Sequence, residues 1–104
     1  MINTICIIGC GLIGSSMALS IRKNGLAGTV IMADHDRDVV RRAGALKLGD
    51  IQTVEMEQAV QNADMVVLAV PVGANDAVMR RIVPHLKEGA VLSDVGSVKQ
   101  KVID

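Results

Sequence analysis

The chain has 104 residues, enough for one compact domain around one core. Half of them are hydrophobic and 21% are charged, which excludes a disordered chain. The formal net charge is zero and there is no Phe, Tyr or Trp, so neither the charge nor the stacking surface of a nucleic-acid binder is present.

Cys6 and Cys10, the two cysteines, are spaced C-x3-C with no histidine or second cysteine pair near them, and no metal site is expected. Cys6 lies in an apolar run and reads as a small buried hydrophobe. That run lacks a basic leader and a cleavage signal, and Gly9 interrupts it. It reads as neither a signal peptide nor a membrane span, so a reduced, cytoplasmic setting is the default expectation.

In chain order, "TICIIG" is short, continuous and β-branched, the pattern of a buried strand. Over residues 12–23, Ile13, Met17 and Ile21 recur at four-residue spacing, which predicts a helix with these on its core face. Asn24 and Gly25 provide its stop. "TVIMAD", residues 29–34, predicts a second strand. "DRDVVRRAGALKLG", residues 36–49, predicts a second helix with Asp at its start and Gly49 past its end. "IQTVEM" is ambiguous, with a short third strand as one reading, and "MEQAVQNA" is a short helix. "DMVVLAVP" is a strong strand closed by Pro71. Residues 75–87 predict a helix using Val78, Met79, Ile82 and Leu86 on one side, with Pro84 either kinking it or starting a separate last turn. "GAVLSDV" is a fifth strand, and "SVKQKVID" opens a further helix.

Continuous apolar strands alternating with helices imply a parallel sheet covered on both faces, with right-handed crossovers. The expectation is a single doubly wound α/β domain, strand order 3-2-1-4-5.

"GCGLIGSSMA", residues 9–18, places three glycines at G-x-G-x-x-G spacing between the first strand and the first helix. Gly9 can make the tight turn, Gly11 lets a pyrophosphate approach the backbone, and Gly14 lets the helix pack on the strand. Leu12 and Ile13 open the helix, where free N–H groups and a partial positive charge favour phosphate. The absence of G-K-[ST] argues against a nucleoside-triphosphate loop. The same fingerprint expects an acid about twenty residues on, at the end of the second strand, and Asp34 is there. Its carboxylate can accept from both adenosine ribose hydroxyls and would repel a 2′-phosphate, favouring NAD over NADP. His35 and Arg37 lie close enough to weaken that preference. The plainer reading makes Asp34 a solvated strand end or a helix cap, although Asp36 could serve as that cap. Together these features specify a dinucleotide-binding (Rossmann) fold.

"GCGLIGSSMA", "DMVVLAVPV" and "LSDVGSVK" occur in that order, and together they resemble the N-terminal half of the prephenate and arogenate dehydrogenases of tyrosine biosynthesis. The most specific stretch is D-V-G-S-V-K, residues 94–99. The resemblance covers almost the whole chain. It implies oxidation of the ring hydroxyl of prephenate or arogenate, hydride transfer to a nicotinamide, and loss of carbon dioxide as the ring aromatises. It also implies a catalytic histidine in a His-Pro motif beyond this chain, and a helical domain that completes the substrate pocket and makes a homodimer. His35 and His85 match neither position. The expectation is therefore a cofactor-binding part, residues 1–104, that binds NAD without turnover by itself.

The resemblance puts Ser97 near the nicotinamide, aligning the substrate hydroxyl with the base. The residues also read as a capping box, with Ser97 as N-cap and Gln100 reaching back. Lys99 matches the motif and equally reads as an exposed first-turn lysine. Val70 and Pro71 read either as an apolar surface for the cofactor or as simple strand termination. Two other functions stay open on the residues: the nucleotide domain of a hydroxyacid-type or imine-type reductase, and a non-catalytic NAD-sensing module.

Overall fold

The apolar run at the start of the chain becomes the middle of the sheet. In the computed structural model, which describes residues 2–94, strand β1 (Ile2–Ile8) pairs in parallel with β2 (Ala27–Ala33) on one side and β4 (Met65–Leu68) on the other. Strand β3 (Ile51–Thr53) extends the sheet beyond β2, and β5 (Val91–Asp94) extends it beyond β4. The order is β3-β2-β1-β4-β5, as the alternation of elements predicts. The ambiguous stretch after Asp50 resolves into the short edge strand.

Successive side chains of a strand point to opposite faces, so a strand covered on both faces has no polar alternation. Ile5 and Ile7 join one cluster with Val30 and Met32, under helices α1 (Leu12–Lys23) and α2 (Arg37–Ala45). Cys6 and Ile8 join the other with Val66 and Leu68, under helices α3 (Met56–Val60) and α4 (Asn75–Ile82).

The structure corrects the predicted face of α1. Ile13 points outward and is 56% exposed, while Gly14, Ala18 and Ile21 are buried and Met17 packs at the margin. The cause is steric: a Cβ at Gly14 would lie 1.9 Å from the Gly9 carbonyl oxygen, so the helix meets the strand along its smallest residues.

Helix α2 is also shorter than predicted, ending at Ala45 and not at the glycine after it. Leu48 N–H donates to Ala43 O at 3.1 Å and Lys47 N–H to Gly44 O at 3.1 Å, the paired bonds of a Schellman stop. Lys47 therefore sits at the left-handed position, φ 53°, that glycine usually fills. Gly25 fills the corresponding position after α1, as expected, with φ 61°. Gly49 serves packing instead, since a Cβ there would meet Met32 Cγ at 2.9 Å.

Beyond α4, Val83–His85 form a separate 3-10 turn, the second of the two readings of Pro84. The predicted helix after β5 lies outside the described residues.

Candidate functional site

The C-terminal ends of β1, β2, β4 and β5 meet along one edge of the sheet, and the glycine loop lies there. Gly9 follows β1 with φ +109°, and its N–H donates to Ala33 O at 2.7 Å. A Cβ at Gly9 would stand 2.6 Å from the Ala69 carbonyl oxygen, so the backbone passes too close to the end of β4 for any other residue. Gly14 is excluded from substitution by its contact with Gly9, given above. Gly11 is different. A Cβ there would meet nothing within 4 Å, so this glycine faces open space at the start of α1.

Gly11 is the N-cap of α1 and has no side chain to satisfy the first N–H groups. The helix carries no acidic residue in its first turn. Its N-terminus thus keeps both its free donors and its partial positive charge, which suits an anion and in particular a pyrophosphate. Leu12 and Ile13 lie in that first turn with their side chains exposed.

Asp34 stands just past β2 and bridges the loop to the β2–α2 turn. Its Oδ2 accepts from Cys10 N–H at 2.8 Å and its Oδ1 from Asp36 N–H at 2.9 Å. The side chain is 13% exposed, and His35 Nδ1, on an 83% exposed ring, lies 3.3 Å from Oδ1. A carboxylate offers about four acceptor positions, so about two remain after the two backbone bonds, one of them on the oxygen that His35 adjoins. The cap of α2 is supplied by Asp36, whose Oδ1 accepts from Asp38 N–H at 2.9 Å and Val39 N–H at 3.4 Å. Asp34 is therefore not the helix cap. It is a loop anchor with acceptor capacity left, an anchoring role that the motif does not reveal. Arg37 is exposed on the same turn.

Strand β4 ends at Leu68, so Val70 and Pro71 lie beyond the ladder and not at its last rung. Val70 packs against the α3–α4 cluster, and Pro71 is exposed with its carbonyl accepting from Ala74 N–H at 2.8 Å. Val70 Cγ1 would lie 3.2 Å from a Cβ at Gly9, which places it at the lip of the glycine loop.

Three features escaped the sequence reading. A cavity of about 310 Å³ opens between α1 and α2, with Gly11, Ser15, Val39 and Arg42 among its lining residues. Ser15 Oγ also donates to Cys10 O at 3.1 Å, bracing the loop from the helix side. Last, Asn75 is 8% exposed at the start of α4, and its Nδ2 donates to Asp94 Oδ2 at 2.8 Å. Its Oδ1 is buried without a hydrogen-bond partner among the described residues. The glycine spacing does not mark Ser15, which braces its own loop from five residues away, and no motif marks Arg42 or Asn75, whose neighbours are distant in the chain.

Burial pushes both thiols up to about 12, assisted for Cys6 by Cys10 and for Cys10 by the Asp34 carboxylate. Both are inert near neutral pH. Among the described residues no three His, Cys, Asp or Glu side chains converge in a way that could hold a metal ion, and no helix is long and apolar enough to cross a membrane. His85 is exposed in the turn after α4. Ser97 and Lys99 lie outside the described residues.

Residues 17–104 match the family described as the prephenate dehydrogenase nucleotide-binding domain. The chain belongs to this family. It is 44% identical over 99 residues to the cyclohexadienyl dehydrogenase of Zymomonas mobilis, covering 95% of this chain and 34% of the relative. The arogenate dehydrogenase of Synechocystis superposes with a TM-score of 0.80 at 26% identity, over 88% of this chain and 32% of that one. Prephenate dehydrogenase from A. aeolicus, solved with hydroxyphenyl propionate and NAD+, shares the fold with a TM-score of 0.80 at 24% identity, over 90% of this chain and 33% of that one. The chain thus spans about a third of the length of the relatives it matches. The family match begins inside α1, so the glycine loop is assigned to the site by its own geometry.

Proposed function

We propose that this domain binds NAD across the glycine loop and serves as the cofactor half of a prephenate or arogenate dehydrogenase. The observation that carries the reading is the pairing of an unobstructed Gly11 with an Asp34 carboxylate hydrogen-bonded to the same loop. The pyrophosphate would lie on Gly11 and the first-turn N–H groups of Leu12 and Ile13, with Gly9 and Gly14 giving the loop its shape. Asp34 would accept from the adenosine ribose hydroxyls with its remaining acceptor positions, and its charge would disfavour a 2′-phosphate. Val70 and Pro71 would line the crevice beyond β4, and Ser97 would face the nicotinamide end and align the substrate hydroxyl with its base.

Bound there, the nicotinamide supplies a hydride acceptor. This domain contributes position and charge, and neither histidine among the described residues stands at the nicotinamide end, since His35 lies beside the adenosine side and His85 is in the turn after α4. In this reading the base, the substrate pocket and the dimer contacts come from the rest of a longer protein, a cytoplasmic homodimer acting on a small molecule.

Calorimetric titration of this chain with NAD and NADP tests the reading. NAD is expected to bind more tightly, and the reverse order would overturn the role given to Asp34.

A further inference from the structure

We propose that Asn75 is a positioning residue for the nicotinamide-riboside half of the cofactor, acting through its hydrogen bond to Asp94. The inference rests on the reading that this crevice holds a nicotinamide dinucleotide.

A doubly wound sheet binds its ligand where the strand order reverses, here between β1 and β4, with one mononucleotide half on each side. Asp34 stands at the end of β2, on the adenosine side. Asn75 and Asp94 stand on the other side. Asp94 is the last residue of β5 and is in register with Leu68, the last residue of β4. The 2.8 Å bond from Asn75 Nδ2 to Asp94 Oδ2 closes 19 residues of chain and ties the turn after β4 to the end of β5. Those two segments are the walls between which the second mononucleotide half would lie.

The chemistry of the amide shows what it is for. Only Nδ2 can face a carboxylate, because the opposite orientation would set Oδ1 against the negative oxygens. Oδ1 is thereby committed to the interior, where it finds no partner among the described residues. A residue retained for packing alone would be apolar, as Ile82 is on the same helix, and would leave no acceptor unmatched. The polar group persists because its donor end holds Asp94 in place. Nothing on the adenosine side depends on it: Gly9 bonds to Ala33, and Asp34 bonds to Cys10 and Asp36.

The test is titration of this chain and its Asn75→Leu variant with NAD and with ADP, alongside thermal unfolding. ADP engages the adenosine and pyrophosphate subsites and lacks the nicotinamide riboside. NAD affinity is expected to fall about tenfold, ~1.4 kcal/mol, while ADP affinity stays within about twofold. Equal losses for both ligands, or unchanged NAD affinity in a folded variant, would overturn the inference and leave the dinucleotide reading standing. If Asn75→Leu does not fold, Asn75→Asp keeps the shape and sets a second carboxylate against Asp94. The same NAD-selective loss is expected there, and parallel losses overturn the inference. A wild-type chain that binds neither nucleotide overturns the dinucleotide reading and this inference with it.

Discussion

Replacing Asp34 with asparagine separates the two jobs of this side chain. The carboxylate accepts one backbone N–H on each oxygen, from Cys10 and from Asp36. An amide has one oxygen, so in either orientation its NH2 group faces a backbone N–H, donor against donor. An unsatisfied group of this kind costs about 1–3 kcal/mol. Cys10 is buried and Asp36 exposed, so the amide oxygen should stay on Cys10 and the misfit should fall where water can reach it. The expected loss is then at the lower end, ~1 kcal/mol. For a domain of this size that lowers the melting temperature by roughly 4 °C. The chain has no aromatic residue, so far-ultraviolet circular dichroism is the suitable probe. At the ligand, losing the charge and one acceptor should cut the NAD-over-NADP preference by about 1–3 kcal/mol, roughly 5- to 150-fold. A melting temperature unchanged within a degree would refute the anchor. An unchanged cofactor ratio would refute the ribose contact. The two results are independent, so either role can fail alone.

Gly11→Ala and Gly14→Ala should behave oppositely: the first folds normally but loses nucleotide affinity, while the second loses about 1–3 kcal/mol of stability because its methyl meets a backbone oxygen. Urea unfolding with nucleotide titration distinguishes them, and a stable Gly14→Ala would contradict the close helix–strand contact. Lys47→Gly should stabilise the domain by about 1 kcal/mol, since it relieves a left-handed residue at a helix stop. An unmoved urea midpoint would show that the position carries no strain. Asp64 is held below the ordinary aspartate value of 3.8, first by its hydrogen bond to Lys87 and then by that to Thr4 N–H. Its contribution to stability is present above that ordinary value and is lost as pH falls through the lowered one. Asp64→Asn should therefore flatten the acid limb of the stability curve measured between neutral pH and about 3, and a limb of unchanged slope would refute the assignment.

Much of this architecture could be read from the order of residues, because it rests on local rules. Strand runs, helical spacing and the strand–glycine–helix junction are properties of neighbouring residues, and the spacing from Gly9 to Asp34 follows from the length of one strand–helix–strand unit. The strand order followed from the same logic, whereas the stretch after Asp50 is ambiguous as sequence and Asp36 is one of two candidate caps, so the structure decided both. The errors have a common source. Which face of α1 is buried depended on how closely Gly14 must approach Gly9, and hydrophobic spacing alone placed Ile13 inward. The end of α2 depended on Leu48 returning to the core, which forced Lys47 into a conformation that its side chain does not advertise. Asp34 as a loop anchor, and Asn75 clasped to Asp94, exist only because the parallel sheet aligns the ends of β1 with β2 and of β4 with β5. Local periodicity carries an element, but a hydrogen bond across 19 or more residues is decided by register, and register is a property of the packed sheet.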